Sequence, residues 1–310
     1  MRFKKILLAT DLSDRSRRLI DGLRAVPRTD DATILLAFAD ATPTIEAFSA
    51  DAFSDLHRRI AEAATIGLEA QLADLEAHGF KVQAHIVNGG PREAISGLTE
   101  SHECDLIVLG MSSRATRSGL FVGSTTRWVL RQADVPVLTV PIHGENVPTR
   151  WSRVATTTDF SDDSDVGVGL ATSLAQQLSA AMNVIHVVEL PRFAAFGTIS
   201  PSALPTEQRQ QLEELQRGRL AQIYDQITED TLHTVVSSPH VPEGIIRAAT
   251  EWGADVVVVP SHGKGAVRAM LLGSTSERLV ELSPVPVLIL PRAFLKKRAA
   301  AAAAAAKPAP

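Results

Sequence analysis

One pattern occurs twice in this chain and limits most of what the chain can fold into. The segment Gly110–Thr125 (G-M-S-S-R-A-T-R-S-G-L-F-V-G-S-T) has a counterpart 150 residues further on, Pro260–Thr275 (P-S-H-G-K-G-A-V-R-A-M-L-L-G-S-T). Each follows a short apolar run opened by Asp, D-L-I-V-L (Asp105–Leu109) and D-V-V-V-V (Asp255–Val259). Each leads into a helix-like segment and then V-P-V-L (Val135–Leu138; Val285–Leu288). A self-similar period of this length is a domain duplication rather than a solenoid repeat. An apolar strand, a Gly/Ser-rich loop and a helix opening on Ser or Thr put backbone N–H groups where they can hold an anion.

The rest of the chain repeats in the same order. In the first half, apolar periodicity predicts a strand over Phe3–Thr10, ending at Asp11, then a helix to Val26 with Leu12, Leu19, Ile20 and Leu23 on one side. A strand over Thr33–Ala39, a long helix over Phe48–His78 stopped by Gly79, and an alternating strand over Lys81–Val87 follow. Phe48, Phe53, Leu56, Ile60, Ile66 and Leu68 of the long helix are expected to cover their own sheet. Pro91 opens a helix to His102. The strand Asp105–Leu109, the loop, a helix over Ser124–Gln132 and the strand Pro136–Val140 complete the half. The second half gives strands at Arg153–Thr158, Asn183–Val188, Leu232–Ser237, Asp255–Val259 and Val285–Leu290. Its helices are Phe160–Leu178, Thr206–Thr228, Pro242–Trp252 and Ser274–Leu282, and Pro191–Pro205 reads as a loop.

Strands alternating with helices imply parallel βαβ units, and runs such as V-V-V-V imply strands covered on both faces. The expected fold is therefore α/β, with two tandem doubly wound domains. Each is a five-stranded, mainly parallel sheet with helices on both faces. The boundaries read as 1–143 and 152–293, with a linker at 144–151 and an Ala/Lys/Pro-rich tail at 294–310 expected to be disordered.

Composition removes several function classes. The net charge of −4 offers no global basic field for nucleic acid. The N-terminal apolar run is broken early by Asp11, too short for a signal-peptide core or a membrane span, so a cytoplasmic protein with no membrane partner is expected. The single cysteine, Cys104, excludes an intrachain disulfide framework and reads as a core residue. His57, His85, His143, His186, His233 and His240 lack metal-ligand spacing, and neither a P-loop, a G-x-G-x-x-G after a first strand, nor a G-x-S-x-G is present. No catalytic residue and no metal site is assigned.

In open α/β sheets, ligands bind beyond the carboxyl ends of the strands at the topological switch point. In the first half that edge collects Asp11 with Gly110, Ser113, Gly123, Ser124 and Thr125. In the second it collects Asp159 with His262, Gly263, Gly273, Ser274 and Thr275. The acidic residue can accept hydrogen bonds from a ribose or an adenine amino group, while the loop offers N–H donors to phosphates. The alternative is that the glycines only turn the chain between strand and helix. Arg114, Arg117 and Lys264 sit in the loops, where they either neutralise phosphate or are simply solvated. Ser13 and Ser161 look like helix caps.

The Asp ending the first strand of each half, V-N-G-G-P and S-P-H-V-P before a helix, S-H-G, G-S-T and V-P-V-L together resemble the universal stress protein family. The resemblance covers nearly all of both halves as a tandem arrangement. It implies Rossmann-like, HUP-type domains. ATP-binding members carry Gly, two residues, Gly, nine residues, then Gly-Ser or Gly-Thr. Both copies here keep that spacing and each departs at one glycine. Ser113 stands for the second glycine of the first copy, and Pro260 for the first glycine of the second. Ser113 keeps its N–H but carries a Cβ, whereas Pro260 lacks the N–H. Which half binds nucleotide stays open at this point.

The resemblance implies a stress-response regulatory protein that binds ATP, with or without Mg²⁺, as a ligand controlling conformation or partner choice. The alternatives are a scaffold without nucleotide, working through unidentified protein partners, and a weak ATPase. In this family the last strand of each domain commonly pairs across domains, which implies a homodimer or an intrachain pseudo-dimer.

Overall fold

The computed structural model describes residues 1–41, 50–111, 123–142, 147–190, 193–195, 198–200, 205–224, 231–263 and 272–305. The first half runs β1 (Phe3–Thr10), α1 (Arg17–Arg24), β2 (Arg28–Asp40), α2 (Ala50–Ala77), β3 (Lys81–Asn88), α3 (Pro91–Ser101), β4 (Leu106–Met111), α4 (Ser124–Gln132) and β5 (Val137–Pro141). The second runs β6 (Arg153–Thr157), α5 (Asp162–Leu178), β7 (Ala181–Glu189), β8 (Phe193–Ala195), β9 (Thr198–Ser200), α6 (Thr206–Tyr224), β10 (Thr231–Ser238), α7 (Val241–Trp252), β11 (Val256–Pro260), α8 (Ser274–Leu282), β12 (Val287–Leu290) and α9 (Arg292–Ala305).

Ten of these strands form one sheet in the order β10-β7-β6-β11-β12-β5-β4-β1-β2-β3. Neighbours within each half are parallel. The two halves meet edge to edge, with β5 antiparallel to β12 and Leu138 facing Leu288. The sheet expected in each half is thus joined into one across the pseudo-twofold axis, and neither terminal strand is left as an open edge. Two hydrophobic clusters lie on the two faces, and each contains residues of both halves, so the core runs through the seam.

The repeated Asp before β4 and β11 has a structural task. The Asp105 carboxylate accepts the N–H groups of Lys4 and Lys5 at 2.8 and 3.0 Å, at the start of β1. Asp255 accepts those of Ser152 and Arg153 at 2.7 and 2.9 Å, at the start of β6. Each carboxylate ties the beginnings of the two central strands together. That fixes their register and hence what their far ends bring together.

Several expectations need correction. α1 does not open at Asp11: a 3-10 turn over Asp14–Ser16 precedes it, so Ser13 is not its cap. Ser161, by contrast, caps α5 in a reciprocal box with Ser164. In α2, Leu68 is buried but Ile60 and Ile66 are exposed, so a narrower stripe than expected covers the sheet; the side chains of Phe48, Phe53 and Leu56 lie outside the described ones. The loop Pro191–Pro205 contains the antiparallel pair β8–β9. Trp151, at the end of the expected linker, is only 1% exposed and belongs to the core.

The tail expected to be disordered from residue 294 forms α9 as far as Ala305. An Ala run favours helix but needs an anchor to persist. Leu295 supplies it: it is 1% exposed in a cluster shared with α5 and Met1. Arg292 adds an ion pair to Asp163 at 3.1 Å. No helix among the described residues is long and apolar enough to cross a membrane.

Candidate functional site

The switch point of the second half lies between β6 and β11, and a cavity of about 740 Å³ opens there, beyond their carboxyl ends. Ile185 and Val187 of β7, Ile245 of α7 and Leu279 of α8 make an apolar wall. Asp159, Gly263 and the start of α8, Ser274 and Thr275, make the polar rim. The second-half residues expected from sequence are therefore brought to one place.

The turn that presents Asp159 is strained and held. Phe160, the next residue, has φ +59°, a left-handed conformation that costs a bulky side chain about 1–3 kcal/mol. Leu12 holds the same position in the first half, with φ +57°. In both halves the threonine before the Asp fixes the turn. Thr10 Oγ1 accepts the Leu12 N–H at 3.0 Å, and Thr158 Oγ1 accepts the Phe160 N–H at 3.0 Å. The Phe160 ring packs against His186, with ring centroids 4.5 Å apart, and under the Arg219 guanidinium at 4.1 Å. Thr158 also bonds the Tyr224 hydroxyl at 2.8 Å, and that hydroxyl donates to Asp165 at 2.5 Å. Burial and the Asp165 carboxylate hold the Tyr224 phenol protonated far above neutrality.

Asp159 Oδ1 accepts the N–H of Ser161 at 3.1 Å and its hydroxyl at 2.5 Å. Its Oδ2 faces Gly263 so closely that a Cβ there would stand 2.5 Å away. Gly263 is therefore glycine for reasons of approach, not of φ. Asp11 in the first half accepts the Ser13 N–H at 3.0 Å and the Ser16 hydroxyl at 2.6 Å. Partial desolvation pushes the Asp11 carboxyl up, but these hydrogen bonds outweigh it and leave it below the ordinary carboxylate range.

The far side of the rim is a helix start without a cap. Gly273 and Gly123 are the N-cap residues of α8 and α4, and neither helix has a capping side-chain hydrogen bond. The first N–H groups of such a helix have no intrahelical acceptor and carry its positive dipole end. Gly273 itself spends its N–H on the Ser261 carbonyl at 2.8 Å, and a Cβ would stand 3.1 Å from that oxygen. The residues that follow it, Ser274 and Thr275, line the cavity as the first residues of α8. Ser276 Oγ donates to the Pro260 carbonyl at 2.8 Å and pins the helix to the strand end; Thr126 does so to Gly110 at 3.5 Å.

The Pro260 departure has a packing explanation. A Cβ on Gly110 would meet Ile142 at 3.1 Å and Leu19 at 3.4 Å, whereas a Cβ on Gly167 would meet the Pro260 ring at 3.2 Å. Leu19 and Gly167 hold matching places in α1 and α5. Small strand residue with large helix residue in one half has become the reverse in the other. The proline compensates volume while its carbonyl keeps its partner.

His262 is buried, with Nδ1 sharing a hydrogen bond with Ser261 Oγ at 2.7 Å, and the same hydroxyl accepts the Arg292 N–H at 3.2 Å. In the first half Gly110, Gly123, Ser124, Thr125 and Asp11 occupy corresponding places in the fold. Ser113, Arg114, Arg117 and, in the second half, Lys264 lie outside the described residues. Sequence reasoning missed Thr158, Phe160 and His186 as parts of the site. The repeated T-D-L-S and T-D-F-S was the available signal for the first two. Among the described residues no group of three His, Cys, Asp or Glu stands together to hold a metal. Cys104 is inert by environment, its thiol pushed up to about 11 by burial and then by the Asp105 charge.

Comparison with known proteins agrees with this architecture. The chain is 28% identical over 219 residues to a universal stress protein of Mycolicibacterium smegmatis, covering 69% of this chain and 70% of that one. A universal stress protein of Methanocaldococcus jannaschii is 27% identical, with the match covering 44% of this chain and 94% of its own. A crystal structure of a universal stress protein from Archaeoglobus fulgidus superposes with a TM-score of 0.62 at 24% identity, over 92% of this chain and 95% of that one. The sequence model of the Universal stress protein family matches twice, over residues 2–141 and 151–291. The chain belongs to the universal stress protein family, as a member with two tandem domains.

Proposed function

We propose that the second half binds an adenine nucleotide, ATP, in the cavity at the ends of β6 and β11, and that the protein is a regulatory binding module of stress response rather than an enzyme. One observation carries this reading: an apolar wall, a carboxylate and an uncapped helix start converge on a cavity of about 740 Å³, within the range of small-ligand sites. The apolar wall of Ile185, Val187 and Ile245 suits a flat heteroaromatic ring. Asp159 suits the ribose hydroxyls, accepting what they donate. The N–H groups at Ser274 and Thr275, at the positive end of the α8 dipole, suit the phosphates. The close approach of Gly263 to Asp159 leaves room at the rim that any side chain would fill.

Among the described residues the groups at the phosphate end are hydroxyls, backbone N–H donors and the His262 imidazole, whose Nδ1 is engaged with Ser261, chemistry suited to holding a phosphate. ATP then acts as a ligand whose occupancy biases conformation or partner choice. In the first half Ser113 takes the place of Gly263, so a Cβ enters at the position where the second half has none, and the first half is assigned weaker or no binding.

The test is to purify the protein, denature it and analyse the released small molecules. Adenine nucleotide approaching one per chain is expected. An empty protein that also shows no saturable binding at millimolar ATP contradicts the reading and leaves the scaffold alternative.

A further inference from the structure

The seam between the halves carries a charge pattern that the pseudo-twofold axis makes informative. Leu138 and Leu288 occupy the same place in the two V-P-V-L segments and face each other in the β5–β12 pair, so the axis passes between them. α4 and α8 lie on either side of it and are joined by ion pairs. Arg127 Nε lies 2.6 Å from Glu277, the second guanidinium nitrogen 3.3 Å from Glu281, and Arg131 3.1 Å from Glu277. Arg127 and Glu277 are equivalent positions of the two repeats, 150 residues apart, and so are Arg131 and Glu281. At both places the axis brings a residue against the counterpart of itself or of its neighbour, and at both the two repeats have opposite charge.

A symmetric pairing would lose this. Two first halves joined through β5 would set four guanidinium groups together; two second halves joined through β12 would set four carboxylates together. The Glu281 and Glu277 side chains are only 13% and 22% exposed, so solvent screening of the carboxylate cluster is limited, and Arg278, 2.9 Å from Glu281, offsets only part of its charge. Isolated surface ion pairs contribute little. The larger effect is the penalty on the wrong partner, as expected of a device for specificity. The device is needed because β5 and β12 are each the last strand of their half, with apolar edges that would accept any similar strand.

We propose that the β5–α4 face is a recognition surface for a domain that presents carboxylates at the positions of Glu277 and Glu281, and that it rejects a second copy of itself. In this chain the fitting partner is its own second half. The tandem chain thereby closes on itself and is barred from like-with-like pairing with other copies through these edges.

The full chain permits a direct test by charge reversal. Arg127→Glu with Arg131→Glu places in the seam the four carboxylates of a second-half pair. Glu277→Arg with Glu281→Arg places there the four cations of a first-half pair. Both double variants are expected to unfold at lower urea than the wild type, with the loss shrinking as salt is raised, and to associate on size exclusion when the acidic and basic chains are mixed but not when either is run alone. Combining all four substitutions restores opposite charges with reversed polarity and is expected to recover most of the lost midpoint and to elute as the wild type does. A neutral chain, Arg127→Gln with Arg131→Gln, should fall between the wild type and the acidic variant. Double variants that match the wild type in midpoint and do not associate on mixing overturn the proposal. So does a fourfold variant no better than the doubles, or a neutral chain as impaired as the acidic one.

Discussion

A methyl group at Gly263 would stand 2.5 Å from the Asp159 carboxylate, closer than any real contact of that kind. The clash cannot be relieved cheaply, because Oδ1 of the same carboxylate is held by two hydrogen bonds from Ser161. Gly263→Ala is therefore expected to rotate or displace Asp159 and to weaken ATP binding about tenfold or more, ~1.4 kcal/mol. The fold should hold, since Gly263 itself is exposed at the rim. Equilibrium titration with labelled ATP, beside thermal unfolding, checks both halves of that statement; unchanged affinity would remove Asp159 from the site. Gly263 and Asp159 were legible in the sequence because loop spacing and strand ends are written in residue type. The left-handed turn at Phe160 was not. Glycine announces a positive φ, whereas phenylalanine there is held by the nearby Thr158 hydroxyl and by packing with His186 and Arg219, which are distant in sequence.

Among the elements, the strands were the easiest to read. β4 and β11 are buried throughout or nearly so, and a run such as V-V-V-V states that both faces are covered. Helix α9 was the hardest, because its seven consecutive alanines carry no apolar stripe and its buried anchor is the single residue Leu295. Leu295→Ala is accordingly expected to cost about 2–4 kcal/mol, in the range for removing a fully buried leucine side chain, and to fray α9. Urea unfolding measures the cost, and limited proteolysis after Lys296 or Lys297 reports the fraying. Wild-type stability and wild-type resistance to cleavage would mean that α9 is held by something other than its leucine. Arg292, which opens α9, ties it to α5 through Asp163 and to the loop through Ser261, beside the cavity-lining His262.

At the scale of the whole molecule, two domains descended from one have been fused into a single sheet and then allowed to differ. The duplication was plain in the sequence, since the five strands of each half recur in the same order. The junction was foreseen only through family resemblance, because which edges pair depends on residues that meet in space. The halves differ where symmetry would otherwise make them alike: Arg for Glu at the seam, Leu with Gly for Gly with Pro beneath the loops, and Ser113 for Gly263 at the site. Those differences make the two halves chemically unequal, and the proposed ligand site is in the second. Calorimetric titration of ATP into the wild type, Gly123→Val and Gly273→Val measures that asymmetry. The N-cap glycines are a matched pair, and a Cβ at Gly273 would crowd the Ser261 carbonyl at 3.1 Å. The expected result is one site per chain, kept in Gly123→Val and lost in Gly273→Val. Two equal sites in the wild type, or binding that survives Gly273→Val and disappears in Gly123→Val, would contradict it.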